Sequence, residues 1–296
     1  MDPRQPPDSE GGSLSAAIRR HPLIAFFACA YAFSWLAELV LFVVLGAPPA
    51  LVVPVVTLGP TVGALLVTVL IDGRGGLARL AARMRLWRVG GRWYLVALVG
   101  IPLAYLAGTL LLPGALTTFT PASPVYLVVE YALVLTLGGV IGGPLFEEPG
   151  WRGFALPRLQ TQLGPLRATL LLGVLWAGWH FPQFIMPAWA DQNGGLSASS
   201  VVVFVLTVMA ICVIMSWIFN HTHESVFLAI LAHSSVNTSQ VVINQLFPGS
   251  ATSDVAGLIG FGVVAIALIA TTRGRLGYGD PTTRVGLSLA ATPAGS

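Results

Sequence analysis

Residues 200–218, SVVVFVLTVMAICVIMSWI, carry no charged side chain and no Pro or Gly. At a helical rise of ~1.5 Å per residue this stretch is ~28 Å long, close to the ~30 Å hydrocarbon thickness of a bilayer. It reads as a membrane-spanning helix. The rest of the chain agrees. Of 296 residues, 55% are hydrophobic and 9% charged, against ~25% charged in a soluble domain. So few polar side chains cannot coat a water-soluble globule, and lipid must be part of the solvent.

Seven more apolar runs long enough to cross lie near residues 23–46, 51–71, 93–112, 125–145, 168–187, 226–246 and 255–272. The first is too long, and its polar lead too long, for a cleaved signal peptide. The expected fold is all-α: a polytopic membrane helix bundle of about eight transmembrane helices over residues 21–272. Residues 1–20, rich in Pro, Gly and Ser, read as a disordered tail and 273–296 as a flexible one.

Arginine placement supports the count. All 15 basic residues are Arg. They precede the first run (Arg4, Arg19, Arg20), separate the second from the third (Arg74 to Arg92), separate the fourth from the fifth (Arg152, Arg158, Arg167), and follow the last (Arg273, Arg275, Arg284). Eight crossings put all of them on one side, as the positive-inside rule requires. Both termini are then expected in the cytoplasm, with the bundle in a bacterial plasma membrane. A net charge of +3 is no nucleic-acid signal. Cys29 and Cys212 lie singly in apolar stretches and form neither a disulfide framework nor a metal motif. No inverted repeat of broken helices is visible, which argues against a transporter. Gly59 and Gly63 read as a helix-packing pair.

Ionisable groups in the spans are few, and in a membrane such groups mark function or are carefully paired. The segment Phe146-Glu147-Glu148-Pro149-Gly150-Trp151-Arg152-Gly153 places Glu148 and Arg152 at i, i+4, so they are expected to pair. Glu147 points about 100° away and is free for other work. Trp176 and His180 share a face of the fifth run, and His233 and Asn237 share one of the seventh. If the helix after the fourth run continues to about Leu159, then Glu147, His180 and His233 lie at similar depth, ~15–20 Å from the arginine-rich end. Gly142, Gly143, Pro144, Pro149 and Gly150 imply a kink. The plain alternatives are a solvated helix end for the carboxylates and packing roles for the histidines. Converging in one cavity, which is expected to open toward the cytoplasm, these groups make a hydrolytic site. Glu147 and one histidine would activate water, and the other histidine and Asn237 would hold an oxyanion.

The order Glu-Glu-xxx-Arg, aromatic-xxx-His, His-xxx-Asn on successive membrane segments resembles the CPBP family. These are CAAX-processing and bacteriocin-protection intramembrane proteases, also called the Abi or type II CAAX prenyl endopeptidase family. The likeness covers about residues 125–245, with Trp176 where the family often has Phe and with Pro149 and Gly150 as further departures. It implies peptide-bond hydrolysis in the membrane by Glu147, Glu148, Arg152, His180, His233 and Asn237, acting on a membrane-associated protein or peptide. It does not imply a prenylated substrate. No cofactor is expected as the leading reading. Zinc on Glu147, His180 and His233 is the metal alternative, and a non-catalytic immunity or scaffold protein of the same fold is the functional one. Glu38 is expected to need a partner, Glu130 to lie at the interface, and His221 and His223 to be solvated.

Overall fold

The computed structural model describes residues 11–187, 190, 195–248 and 253–279, and no strand occurs among them. The helices are α1 (Gly11–Arg20), α2 (Pro22–Glu38), α3 (Pro49–Val56), α4 (Gly59–Arg85), α5 (Gly91–Leu95), α6 (Ile101–Leu110), α7 (Pro124–Leu133), α8 (Pro144–Gly150), α9 (Leu156–Leu163), α10 (Pro165–Trp179), α11 (Ala198–His221), α12 (Val226–Leu246) and α13 (Ser253–Thr271). Wider π-type turns extend α2 to Val44, join α5 to α6, continue α7 to Val140 and bridge α8 to α9.

The protein is an all-α polytopic membrane bundle. Five helical stretches are long and apolar enough to cross: Pro22–Val44, Pro49–Arg85, Gly91–Leu110, Ala198–His221 and Val226–Leu246. Pro124–Leu137 and Val255–Thr271 are shorter apolar helices. Burial is inverted relative to a water-soluble protein. Leu36, Val125, Val202 and Ile266 are exposed, while Ser34, Thr68, Ser216, Ser234 and Ser235 are fully or nearly fully buried. Lipid removes the cost of leaving Leu and Val outside, and most buried hydroxyls are satisfied within the bundle, Ser216 Oγ and Thr169 Oγ1 being exceptions among the described residues. Ser234, Thr238 and Ser239 bond back to the carbonyls of Ile230, Ser234 and Ser235.

Two expectations are corrected. Residues 11–20 form a helix rather than a tail, with residues 1–10 outside the described region. Residues 273–279 are likewise no loose tail. Leu276 is fully buried, and its carbonyl accepts from Asn220 Nδ2 at 2.9 Å. Residues 280–296 lie outside the described region.

Small residues set the spacing where it matters for the site. A Cβ at Gly59 would sit 2.6 Å from the Ala30 carbonyl, and one at Gly63 3.0 Å from that of Phe26. The pair therefore brings α4 against α2, as the packing reading required. A Cβ at Gly150 would meet the Pro60 carbonyl at 2.5 Å, so α8 also depends on glycine to reach α4.

The Arg-bearing segments gather at one end. Arg83 pairs with Glu224 at the start of α12, Arg158 with Asp72 at 2.9 Å, and Arg79 with Asp72 at 3.2 Å. Gly91, open around its Cα, belongs to this end, and exposed Ser199 lies at the start of α11, toward the other. With Cys29 and Cys212 replaced by Ala, Gly91→Cys and Ser199→Cys are expected to label from opposite sides of intact membrane vesicles. Labelling from one side would sink the one-sided arginine topology.

Candidate active site

The strip from Ile141 to Ala155 is where local chemistry shapes the site. Helix breaks at Gly142 and Gly143 and restarts at Pro144. Pro149 and Pro157 lack the N–H that would close i→i+4 bonds, and the backbone between them relaxes into the π-type turn Trp151–Ala155. The expected kink is thus a break followed by a loosened turn. The helix runs on to Leu163, beyond the Leu159 expected from sequence.

Glu147 is buried at the cavity wall. Its Oε2 accepts from Trp176 Nε1 at 3.1 Å and Trp151 Nε1 at 3.3 Å. Its Oε1 lies 2.9 Å from where a Cβ on Gly143 would stand, so a side chain there would crowd the carboxylate. Two indoles therefore hold one oxygen and leave the other toward the cavity.

Glu148 is fully buried and does more than pair with Arg152. Its Oε1 accepts from Arg152 Nη1 and from His233 Nδ1, both at 2.8 Å. The Arg152 guanidinium lies over the Trp176 ring, 4.3 Å from its centre. Since a carboxylate only accepts, His233 carries its proton on Nδ1 and turns Nε2 to the cavity side. His180 is set the same way, with Nδ1 donating to the Trp176 carbonyl at 2.8 Å. Its ring packs edge-on to Trp179 and Phe204. His180 is not mid-helix as the sequence suggested. Pro182 forbids the helix from continuing, α10 ends at Trp179, and a 3-10 turn follows over Phe181–Ile185. Trp35, which donates to the Trp179 carbonyl, and Tyr31, which donates to that of Leu175, tie this end to α2.

Glu147, His180, His233 and Asn237 all line one cavity of about 520 Å³. Glu148 and Arg152 stand behind His233 rather than in the cavity wall. The opening differs from the sequence expectation. The lining uses the first half of α11, from Phe204 to Ile211, and the second half of α12, from His233 to Gln245. Both halves lie away from the arginine-rich end, where Trp151 and Phe154 are packed shut and Arg83 and Glu224 pair. The cavity therefore rises from His233 toward the arginine-poor end.

Sequence reasoning missed the anchoring of Glu147 by Trp151, although Trp151 stands at i+4 from it. It also missed the His233–Glu148 link, which no local spacing could show. Glu38 is buried with Oε1 lacking a hydrogen-bond partner among the described residues. Glu130 is half-buried, with Oε2 likewise unpartnered. His221 is packed between Trp93 and Trp217, and its Nδ1 donates to the Trp217 carbonyl, so it is not the solvated group expected. His223 is half-buried in the turn before α12. Among the described residues, no three His, Cys, Asp or Glu groups are placed to hold a metal ion. The Glu147, His180 and His233 set is not grouped as a metal site, and the two indoles hold only Oε2 of Glu147.

Residues 128–239, which include Glu147, Glu148, Arg152, His180, His233 and Asn237, match the family model described as type II CAAX prenyl endopeptidase Rce1-like. Over this segment the chain resembles the CPBP family. Over 99 residues it is 31% identical to CAAX prenyl protease 2 of Methanococcus maripaludis, a match covering 33% of this chain and 36% of that protein. The chain thus matches about a third of that relative's length.

Proposed function

We propose that the chain is an intramembrane endopeptidase that cleaves a peptide bond of a membrane-associated protein or peptide. The observation that carries this reading is the convergence of Glu147, His180, His233 and Asn237 on one cavity. Glu147 Oε1 takes a proton from a water held by His180 Nε2 as the water oxygen bonds to the scissile carbonyl carbon. The carbonyl π bond breaks and its electrons become the oxyanion. The Asn237 amide N–H donates to that oxyanion. His233 Nε2 does so when its ring carries both protons, because Nδ1–H stays with Glu148. Collapse breaks the C–N bond, and the proton held at Glu147 passes to the leaving nitrogen. No step needs a bound metal; the check is activity of purified protein with and without a chelator. Loss to the chelator and recovery with zinc would overturn the metal-free assignment.

The bundle would sit in a bacterial plasma membrane with cytoplasmic termini, following the arginine distribution. The broad test compares new protein ends in membranes of cells carrying wild-type or Glu147→Ala protein. Identical sets would reject the peptidase reading in favour of a binding protein. The mechanistic test is Asn237→Ala. Asn237 is half-buried at the cavity and, among the described residues, has no side-chain hydrogen bond to the protein. Its loss should cost ~100- to 1000-fold in kcat, as for other oxyanion donors, with normal folding. A kcat within threefold of wild type would remove Asn237 from the chemistry.

A further inference from the structure

Four amides line the cavity along α12: Asn237, Gln240, Asn244 and Gln245. Asn237, Gln240 and Asn244 follow His233 at intervals of four, three and four residues, which keeps all four on one stripe of the helix. Asn244 is oriented by its Oδ1, which accepts from Tyr105 at 3.0 Å and leaves its N–H₂ unspent. The side chains of Asn237, Gln240 and Gln245 have no hydrogen-bond partner among the described residues. Such groups are costly in a membrane unless something wet or polar meets them.

We propose that this amide ladder is the binding track for the backbone of an extended polypeptide, leading from His233 toward the arginine-poor end. The inference rests on the endopeptidase reading and deepens it. A peptide bond can be attacked only where the substrate is not helical, and an unwound segment bares its N–H and C=O groups. A carboxamide offers both a donor and an acceptor, which is what a peptide group requires whatever its side chain. The dimensions agree. Asn237 to Asn244 spans ~10 Å of helix, about three residues of extended chain at ~3.3 Å each. The ladder would therefore bind the substrate on one side of the cleaved bond and read no sequence.

The test uses full-length Glu147→Gln protein in lipid nanodiscs, so that binding is measured without cleavage. The probes are fluorescent capped hexa-alanine and the same peptide N-methylated along its backbone. Hexa-alanine should bind, and N-methylation should abolish binding. Gln240→Leu and Asn244→Leu should each weaken binding ~3- to 10-fold, the loss typical of one net hydrogen bond. Gln240→Ser separates a peptide track from a merely hydrated wall. It keeps the site wet but lacks amide reach, so it should weaken binding as Leu does, while Gln240→Asn should retain most of it. No binding of hexa-alanine, equal binding of the N-methylated probe, or wild-type affinity in Gln240→Ser would each overturn the track. Thermal melts of each variant show that the fold is kept. If the unmethylated probe binds along the ladder but wild-type protein never cleaves any peptide, the track stands and the peptidase reading fails.

Discussion

Glu147→Gln is expected to lower peptide cleavage ~100- to 10,000-fold while leaving the fold intact. The glutamine keeps the shape of the side chain, and its carbonyl oxygen can still accept from Trp151 and Trp176. What it loses is the ability to take a proton from water and return it, a role typically worth that range. The measurement is single-turnover cleavage by purified protein, with a thermal melt beside it. A variant that melts with wild type yet cleaves within tenfold of it would remove Glu147 as the base. Trp151→Phe should act through Glu147, since it deletes one of two donors holding Oε2 and nothing that touches substrate. Its loss should be smaller than that of Glu147→Gln.

Arg152→Ala should damage stability more than any other single change at the site. It leaves the fully buried Glu148 carboxylate with only His233 as a partner. Removing one member of a buried ion pair costs about 3–5 kcal/mol, because the other charge stays behind uncompensated. It also removes the guanidinium packed on Trp176. Expression and melting temperature should both fall. The double variant Glu148→Gln with Arg152→Met removes both charges and should regain most of that stability. It should stay inactive, because His233 loses the carboxylate that fixes its Nδ1 proton. A double variant as unstable as Arg152→Ala would mean that Arg152 acts through packing alone, and an active one would deny His233 its need for Glu148.

The lesson of the small residues is similar. Gly59 and Gly63 were legible as packing positions because a four-residue repeat of small side chains needs no partner to be recognised. Gly143 was legible only as a kink. That its missing side chain leaves space for Glu147 Oε1 depends on which way the chain turns after the break. The polar residues of α12 also divide in a way the sequence did not show. The serines and Thr238 bond inward to their own helix, while His233 and the amides meet the cavity.

By itself the sequence determined the helical membrane class, the candidate side chains and the Glu148–Arg152 pair. Each of these is local. Apolar run length reports a span, and residues four apart on a helix are neighbours whatever lies around them. Only the tertiary structure decided that His233 leans on Glu148, 85 positions away in the chain, and that Trp176 holds Glu147 from another helix. It also decided that His180 stands at a helix end and that the cavity rises toward the arginine-poor end. Those facts depend on how far each helix advances before a proline or glycine stops it, and on which helices then close one end of the bundle. Spacing along one chain carries no record of that, because depth in a bundle is set by the packing of all the helices together.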